Sequence, residues 1–398
     1  MNYRYSDRLG KFSSSAVREI LKLTQRQSVI SFAGGLPAEE HFPVAAVGEA
    51  FDRVLAQGNK ALQYGLTEGY LPLRESISRR MAKKGIQVTP DDMLLTTGSQ
   101  QAIDLLTRIY IDPGDVILVE RPTYLSAIQV FNSYGARLVS VAGDSDGMDL
   151  ADLAAKLEQH RPKMVYVIPT FSNPTGQAWS LERRKGVLEL CRKYDALILE
   201  DDPYGELKFG DESVHYPSIF SLDQHPAGSC VVYTSTFSKT VAPALRTGWV
   251  MGDPDLIRNM ARAKQAADLH SSSLDQQTLY QLFEHFDLDG HISFVRKEYE
   301  ARMRQMAELL REKNWPGVTW NEPKGGMFFW LELPEAVDTA ELLKTAVQLG
   351  VAFVPGATFF AENPKANAMR MNFTHNDTEN TITGMNRLSQ AMESVLVR

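Results

Sequence analysis

From residue 93 to residue 251, short aliphatic runs alternate with longer segments whose apolar residues recur at helical spacing. The aliphatic runs predict strands at 93–96, 116–119, 137–141, 164–168, 196–200, 230–233 and 247–251. The intervening segments predict helices at 102–110, 124–134, 150–159 and 181–194. Such regular alternation is typical of a mainly parallel sheet with helices on both faces, so we predict an α/β fold.

The pattern on either side of this region is more helical. Helices are predicted before it at 13–25, 45–55 and 71–84. After it, the pattern predicts helices at 292–313 and 339–349, strands at 318–320, 327–333, 351–354 and 368–373, and a final helix. We therefore predict an N-terminal arm that forms part of a smaller domain (1–45), a large domain (46–288) and a small α/β C-terminal domain (289–398).

The charge balance and the cysteine content narrow the function classes. The 398 residues carry a net charge of −7, which argues against a nucleic-acid-binding surface. Only Cys191 and Cys230 are present, and we expect both to be buried free thiols, with no disulfide framework and no metal site. No apolar run has the length of a membrane span or the form of a signal peptide, so we expect a cytoplasmic protein.

Lys239 follows a predicted loop at 234–238. In a dry cleft, burial and a neighbouring cation disfavour the ammonium form, which leaves the amine free to attack a carbonyl carbon. The nearby Thr236, Ser238 and Arg246 offer hydroxyl groups and a fixed positive charge, which suit a phosphate. The lysine suits a ligand with an aldehyde, and its neighbours suit a ligand with a phosphate. Pyridoxal 5′-phosphate (PLP) carries both groups, so we expect it to be the cofactor. Taken alone, the same segment is compatible with a lysine in a surface loop.

Further polar residues follow the predicted strands, at the sheet edge where active sites of α/β proteins gather. Ser99 opens a helix after the first of these strands, so backbone N–H groups and the helix dipole favour an anion there. The alternative is that Ser99 only caps the helix. Gln100 and Tyr124 are predicted at the same edge.

Two carboxylates and an amide add to this edge. Asn173 lies in a turn-rich loop and can donate its amide N–H to a phenolate oxygen, or can serve the turn alone. Asp201 and Asp202 follow an aliphatic run and precede Tyr204. A carboxylate at the buried end of a strand requires a cation such as a protonated pyridine nitrogen, whereas capping of a helix or turn is the alternative.

Glycine-bearing loops near the N-terminus are further binding candidates. The glycines at 34–35 allow the backbone to approach a ligand closely, although a tight turn explains them equally well. Tyr64 and Tyr70 lie in a second loop of this kind, and loops carry function more often than helices do.

Together these motifs resemble, in order and over about residues 18–373, the fold-type I PLP-dependent aminotransferases of class I and II. The similarity is greatest to the 2-aminoadipate, kynurenine and aromatic aminotransferases. The matching segments lie at 32–37, 63–65, 97–101, 120–124, 172–176, 200–204, 236–239 with Arg246, and 369–373.

The resemblance implies a role for each matching residue around the cofactor ring. Lys239 is implied as the lysine that forms a Schiff base with PLP and then acts as the base that carries the substrate α-proton. Asp201 is implied as the partner of the pyridine nitrogen. Asn173 and Tyr204 are implied as ligands of the phenolic oxygen, and Tyr124 as the ring that stacks on the cofactor.

The resemblance also implies the phosphate and substrate contacts. The implied phosphate ligands are Ser99, Gln100, Thr236 (where serine is frequent in the family), Ser238, Arg246 and, from a second subunit, Tyr64. Arg370 is implied as the ligand of the substrate α-carboxylate, and Asn173 as a further substrate-binding residue. Gly35, Tyr70 and Arg18 are candidates for shaping the substrate pocket, together with the segment 270–275. Arg18 is a candidate for a distal carboxylate, although a solvated helix arginine is the simpler interpretation.

The implied activity is transfer of the amino group of an L-amino acid to a 2-oxo acid by a ping-pong mechanism, in a homodimer with shared active sites. The donor is expected to be 2-aminoadipate, an aromatic amino acid or a similar compound, and the acceptor 2-oxoglutarate. Two alternatives stay open: another PLP reaction such as β-elimination or acyl condensation, and a non-catalytic PLP-sensing regulator. The negative charge and the absence of a basic region before the arm argue against the regulator.

Overall fold

A sheet of seven strands is the largest in the computed structural model, which describes residues 3–12, 20, 29–211, 213–223 and 226–396. In chain order the strands are β1 Ile30–Ser31, β2 Met93–Thr96, β3 Val116–Glu120, β4 Arg137–Val141, β5 Gly143–Asp144, β6 Gly147–Met148, β7 Met164–Val167, β8 Leu197–Asp201, β9 Val231–Thr236, β10 Gly248–Met251, β11 Thr319–Trp320, β12 Phe328–Glu332, β13 Val351–Ala352, β14 Val354–Pro355 and β15 Ala368–Asn372. The seven strands lie in the order β2-β10-β9-β8-β7-β3-β4. All neighbours from β9 to β4 are parallel, whereas β10 is antiparallel to both β2 and β9. The predicted α/β fold with a mainly parallel sheet is therefore confirmed.

Helices connect the strands and cover the sheet. They are α1 Val44–Leu55, α2 Leu71–Lys83, α3 Ser99–Tyr110, α4 Leu125–Ser133, α5 Leu150–His160, α6 Leu181–Lys193, α7 Ile219–Leu222, α8 Pro254–Ala267, α9 Ser273–His285, α10 Leu288–Lys313, α11 Thr339–Gln348 and α12 Thr378–Leu396. Among the described residues, none of these helices is both long enough and apolar enough to cross a membrane.

The alternation of side chains along each strand builds a separate hydrophobic core on each face of the sheet. Along β3, Leu118 belongs to one core, whereas Ile117 and Val119 belong to the other. All three side chains are fully buried. A strand buried on both faces therefore has a continuous aliphatic sequence, which is the pattern from which the sheet was predicted.

The C-terminal region forms a smaller antiparallel sheet in the order β11-β12-β15-β14, with its own hydrophobic core. The strand predicted at 351–354 is in fact two short strands in different sheets. Of these, β14 pairs with β15, whereas β13 pairs in parallel with β1. That pairing attaches the segment that follows the N-terminal arm to the C-terminal region.

The predicted loop at 234–238 was also wrong, because β9 continues to Thr236 and a 3-10 turn over Phe237–Lys239 follows. The hydroxyl groups of the polar side chains in this strand donate hydrogen bonds to neighbouring backbone carbonyls. The Thr234 hydroxyl donates to the carbonyl of Trp249 (2.9 Å), and the Ser235 hydroxyl donates to the carbonyl of Asp202 (2.7 Å). A buried strand can therefore contain these residues at little cost.

The two cysteines differ in burial. Cys191 is fully buried, as predicted, whereas Cys230 is half-buried because it precedes the first residue of β9. Both are free thiols.

Candidate active site

A cavity of about 290 Å³ opens at the carboxyl ends of the parallel strands. Residues from the large sheet, the small sheet and the segment after β1 line it together. The predicted site residues among them are Gly35, Ser99, Gln100, Tyr124, Asn173, Asp201, Tyr204, Thr236, Ser238, Lys239, Arg246 and Arg370. The cavity therefore brings together residues that are far apart in the chain.

Lys239 ends the 3-10 turn that follows β9, and its side chain reaches across the cavity. Its Nζ donates a hydrogen bond to the carbonyl of Gly35 (2.7 Å). Burial, together with the nearby cations of Arg370 and Arg246, lowers the pKa of Lys239 to about 8. An appreciable fraction of the amine is therefore neutral near physiological pH, which is the form that reacts with a carbonyl.

One end of the cavity is suited to an anion. The hydroxyl oxygens of Thr236 and Ser238 lie 2.9 Å apart, and Arg246 Nη1 donates to the Ser238 hydroxyl (3.4 Å). Helix α3 begins here at Ser99, with Gly98 as its N-cap, so the alternative that Ser99 is itself the cap was wrong. Gly98 has a φ of +72°, and a Cβ atom there would lie 2.7 Å from Arg246 Nη2. Glycine therefore lets the guanidinium approach the helix terminus.

Asp201 ends β8 and is 2% exposed. Its Oδ2 accepts a hydrogen bond from the hydroxyl of Tyr166 (2.9 Å), and its Oδ1 has no partner among the described residues. Burial raises the pKa of Asp201 to about 7, against the effect of the Tyr166 hydrogen bond. A buried carboxylate oxygen in this position requires a cationic N–H donor, and a protonated pyridine nitrogen fits it.

The neighbouring Asp202 has a different environment. Its Oδ1 accepts from the backbone N–H of Gly205 (2.9 Å), and its Oδ2 accepts from the hydroxyl of Tyr233 (2.8 Å). Turn capping, the alternative considered for both carboxylates, therefore describes Asp202 and not Asp201.

Arg370 lies on β15 of the small sheet and is 3% exposed. Its Nη1 donates to Asn173 Oδ1 (2.7 Å), and its Nη2 donates to the carbonyl of Ala33 (2.6 Å). The guanidinium carbon lies 4.1 Å from the ring centroid of Phe328 and 5.0 Å from that of Phe359. Burial lowers the pKa of Arg370 to about 10, so the side chain stays charged at neutral pH. The arrangement holds one cation at a fixed place beside Asn173.

Two tyrosines complete the lining. The Tyr124 hydroxyl donates to Gln100 Oε1 (3.4 Å), and the Tyr204 ring meets that of Phe328 edge to face at 5.9 Å. Burial raises the pKa of both phenols above the ordinary value. Both hydroxyl groups therefore remain protonated at neutral pH and can donate hydrogen bonds.

Residues 27–384 match the family model described as aminotransferase class I and II. The chain belongs to this family. The cavity combines a lysine with a lowered pKa, a hydroxyl group beside an arginine at a helix N-terminus, and a buried carboxylate oxygen that has no partner among the described residues. PLP is its cofactor, and its substrates are amino acids and oxo acids.

Three relatives illustrate the range of similarity. The chain is 41% identical to aromatic-amino-acid aminotransferase 1 of Thermococcus litoralis, over 98% of this chain and 94% of the relative. It is 38% identical to the 2-aminoadipate transaminase of Thermus thermophilus, over 97% and 96% of the two chains. A crystal structure of the Pyrococcus horikoshii kynurenine aminotransferase in complex with PMP is 39% identical, with a TM-score of 0.92 over 98% and 97% of the chains.

Two predicted site residues of the aminotransferase, Tyr64 and Tyr70, do not line this cavity in the described part of the chain. Tyr64 is 79% exposed, and its ring lies 5.8 Å from that of His270. Tyr70 packs against Tyr280, and its backbone N–H donates to Gln276 Oε1 (2.7 Å). Arg18 lies outside the described residues. The roles of these three residues stay predictions.

Three side chains that support the site are not predicted from the sequence: Tyr166 beneath Asp201, and the rings of Phe328 and Phe359 beside Arg370. Tyr166 carried a signal, because it is the one polar side chain in the run of β7, Met-Val-Tyr-Val. A buried hydroxyl in such a strand requires a partner, and the neighbouring strand β8 ends in a carboxylate.

Proposed function

We propose that this aminotransferase transfers the amino group of an L-amino acid with an acidic or aromatic side chain to 2-oxoglutarate by a ping-pong mechanism. The observation that carries the proposal is the convergence of three groups on one cavity: the Lys239 amine, the unpaired oxygen of Asp201 and the Arg370 guanidinium. The names of the similar proteins, which act on aromatic amino acids, 2-aminoadipate and kynurenine, support this choice of donors.

The cofactor would supply an aldehyde and a ring that accepts electrons. Asp201 would keep a proton on the ring nitrogen, and the amide N–H of Asn173 and the hydroxyl of Tyr204 would bind the phenolic oxygen. Tyr124 would stack against the ring. The proposed phosphate ligands are Ser99, Gln100, Thr236, Ser238 and Arg246, which line the cavity at the N-terminus of α3.

Lys239 and Arg370 would act on the substrate. Arg370 presents a planar fork of N–H donors that suits a bidentate bond with the α-carboxylate. Lys239 would hold the cofactor, whose aldehyde reacts with amines, and its neutral amine would move the substrate α-proton as a general base. The lowered pKa of Lys239 favours this role, because the amine must be neutral to accept a proton.

A half-reaction tests the proposal. The PLP-loaded protein is mixed with one amino acid at a time without an oxo acid, and the visible absorbance of the bound cofactor is followed. We expect 2-aminoadipate, glutamate or an aromatic amino acid to remove the visible band rapidly, and subsequent addition of 2-oxoglutarate to restore it. A cofactor band that no amino acid changes would contradict the proposal and favour a regulator. Release of ammonia together with a visible band that returns without any oxo acid would favour β-elimination.

We also propose that the enzyme is a homodimer in which Tyr64 completes the phosphate site of the partner subunit. Apolar side chains around Tyr64 support this proposal, because Leu62 and Leu66 are 66% and 64% exposed. Large apolar side chains that cluster at the surface of a chain commonly mark an interface.

Hybrid dimers test the shared site. A Tyr64→Ala chain is expected to bind PLP roughly tenfold more weakly, since a hydrogen bond to a charged phosphate is lost. A hybrid of one Tyr64→Ala chain with one Lys239→Ala chain should then contain one intact site. The matched control is a hybrid of wild type with a chain that carries both substitutions, which should contain none. If the control hybrid shows the tight site instead, Tyr64 serves its own chain.

A further inference from the structure

Tyr166 is a buried tyrosine whose hydroxyl lies 2.9 Å from Asp201 Oδ2. Its ring packs edge to face on Phe131, with 5.4 Å between the centroids, and this contact restricts the position of the tyrosine ring. No other described residue donates a hydrogen bond to the Asp201 carboxylate within the usual distance. The tyrosine therefore provides the only bond that orients this carboxylate within the described chain.

The sheet register explains why the two side chains meet. In the parallel pair β7 and β8, Tyr166 lies opposite Leu199, and Asp201 follows Leu199 by two residues. Residues two apart on a strand point to the same face of a sheet, so Asp201 points to the face that carries Tyr166. Burial and the adjacent Asp201 charge raise the pKa of Tyr166 well above its ordinary value, so its hydroxyl always carries the proton.

We propose that Tyr166 is a positioning residue that holds Asp201 as a carboxylate and directs its Oδ1 to the ring nitrogen of the cofactor. The inference rests on the proposed role of Asp201. The tyrosine occupies one oxygen, which leaves Oδ1 as the free acceptor of a carboxylate that lines the cavity. Without the hydroxyl, the carboxylate would be buried with no hydrogen bond, and it would take up a proton instead of pairing with the cofactor.

The chain offers a matched control for the loss of this hydroxyl. Tyr233, on the adjacent strand β9, is buried and donates to Asp202 Oδ2 at 2.8 Å. Asp202 does not belong to the residues that line the cavity. Tyr233→Phe therefore removes a similar bond between a tyrosine and a carboxylate without touching Asp201.

The experiment measures the affinity of the apoprotein for PLP and for its 1-deaza analogue, in which C–H replaces the ring nitrogen. We expect Tyr166→Phe to weaken PLP binding about tenfold and to leave binding of the analogue unchanged, because the analogue has no nitrogen for Asp201 to hold. Tyr233→Phe should change neither affinity. Thermal unfolding of each apoprotein shows whether the variants are folded.

Two results would overturn the inference: equal losses for PLP and the analogue, which would indicate a packing role, or no loss for either. Asp201→Asn separates this inference from the proposed role of Asp201. If that variant also binds PLP and the analogue with the wild-type ratio of affinities, then Asp201 does not hold the nitrogen and the proposed site chemistry fails. If Asp201→Asn changes the ratio and Tyr166→Phe does not, only the role of Tyr166 fails.

Discussion

Replacing Lys239 by alanine is expected to lower kcat by about 10⁴-fold, since a general base contributes up to that factor. The amine is placed for this role by its position in the cavity and by its lowered pKa of about 8. Single-turnover conversion of the cofactor by a good amino donor measures the effect without interference from product release.

Two further observations distinguish proton transfer from loss of charge or of fold. Lys239→Arg keeps a cation but has no neutral amine at neutral pH, so it should be nearly as inactive as Lys239→Ala. Added methylamine should restore part of the activity of the alanine variant, because it can accept the proton in place of the lysine. An active Lys239→Arg enzyme would contradict the assignment of Lys239 as the base.

The second large effect is expected for Arg370→Ala, which should lower kcat/KM for an amino acid by about 10³-fold. Removing one member of a buried, charged hydrogen-bonded pair costs about 4 kcal/mol, which corresponds to that factor. The loss should disappear for an amine that has the same side chain but no α-carboxylate. The comparison of the two substrates therefore measures the carboxylate contact itself.

Arg370→Lys is the matched variant for this prediction. It keeps the charge but loses the planar fork, so its preference for the amino acid over the amine should lie between those of wild type and Arg370→Ala. If Arg370→Ala still prefers the amino acid by the wild-type factor, another group binds the carboxylate. Thermal unfolding is needed as a control, because Arg370 also bonds Asn173 and the backbone of Ala33.

The sequence was most informative where the chemistry is local. Thr236, Ser238 and Lys239 are neighbours in the chain, and β9, which ends at Thr236, leads directly to the cavity. The contacts of Arg370 could not be predicted in the same way. Its bonds reach Asn173, 197 residues away, and Ala33, 337 residues away, so they depend on how the small sheet meets the large one.

Helices α8 and α9 are not among the helices predicted from the sequence, and α9 shows a second limit of such prediction. Helix α9 buries Gln276, Gln277 and Thr278, which interrupt the apolar pattern that would have predicted it. The two glutamines have tertiary partners, such as the carbonyl of Ala61, which accepts from Gln277 Nε2 (3.1 Å). The Thr278 hydroxyl donates to the carbonyl of Leu274 within the helix. A pattern of polar and apolar residues cannot show that a polar side chain has a buried partner.

The proposed domain division at 45/46 and 288/289 stays a prediction. The pairing of β1 with β13 supports it. The hydrophobic core of the C-terminal sheet consists mostly of residues after 288, but Phe171, Tyr204, Leu207 and Phe209 of the large domain also belong to it. Helix α10 begins at Leu288, so the second boundary falls at the start of a helix of 26 residues.

The carbonyls of Ala33 and Gly35 have a consequence for ligand affinity. They accept hydrogen bonds from Arg370 and Lys239, so these two side chains already have partners in the same short segment. A ligand that displaces both carbonyls from these N–H groups exchanges one partner for another. By reciprocity, a ligand that breaks these bonds loosens the segment. Any contact that holds the segment in place more firmly weakens the binding of that ligand by the same factor.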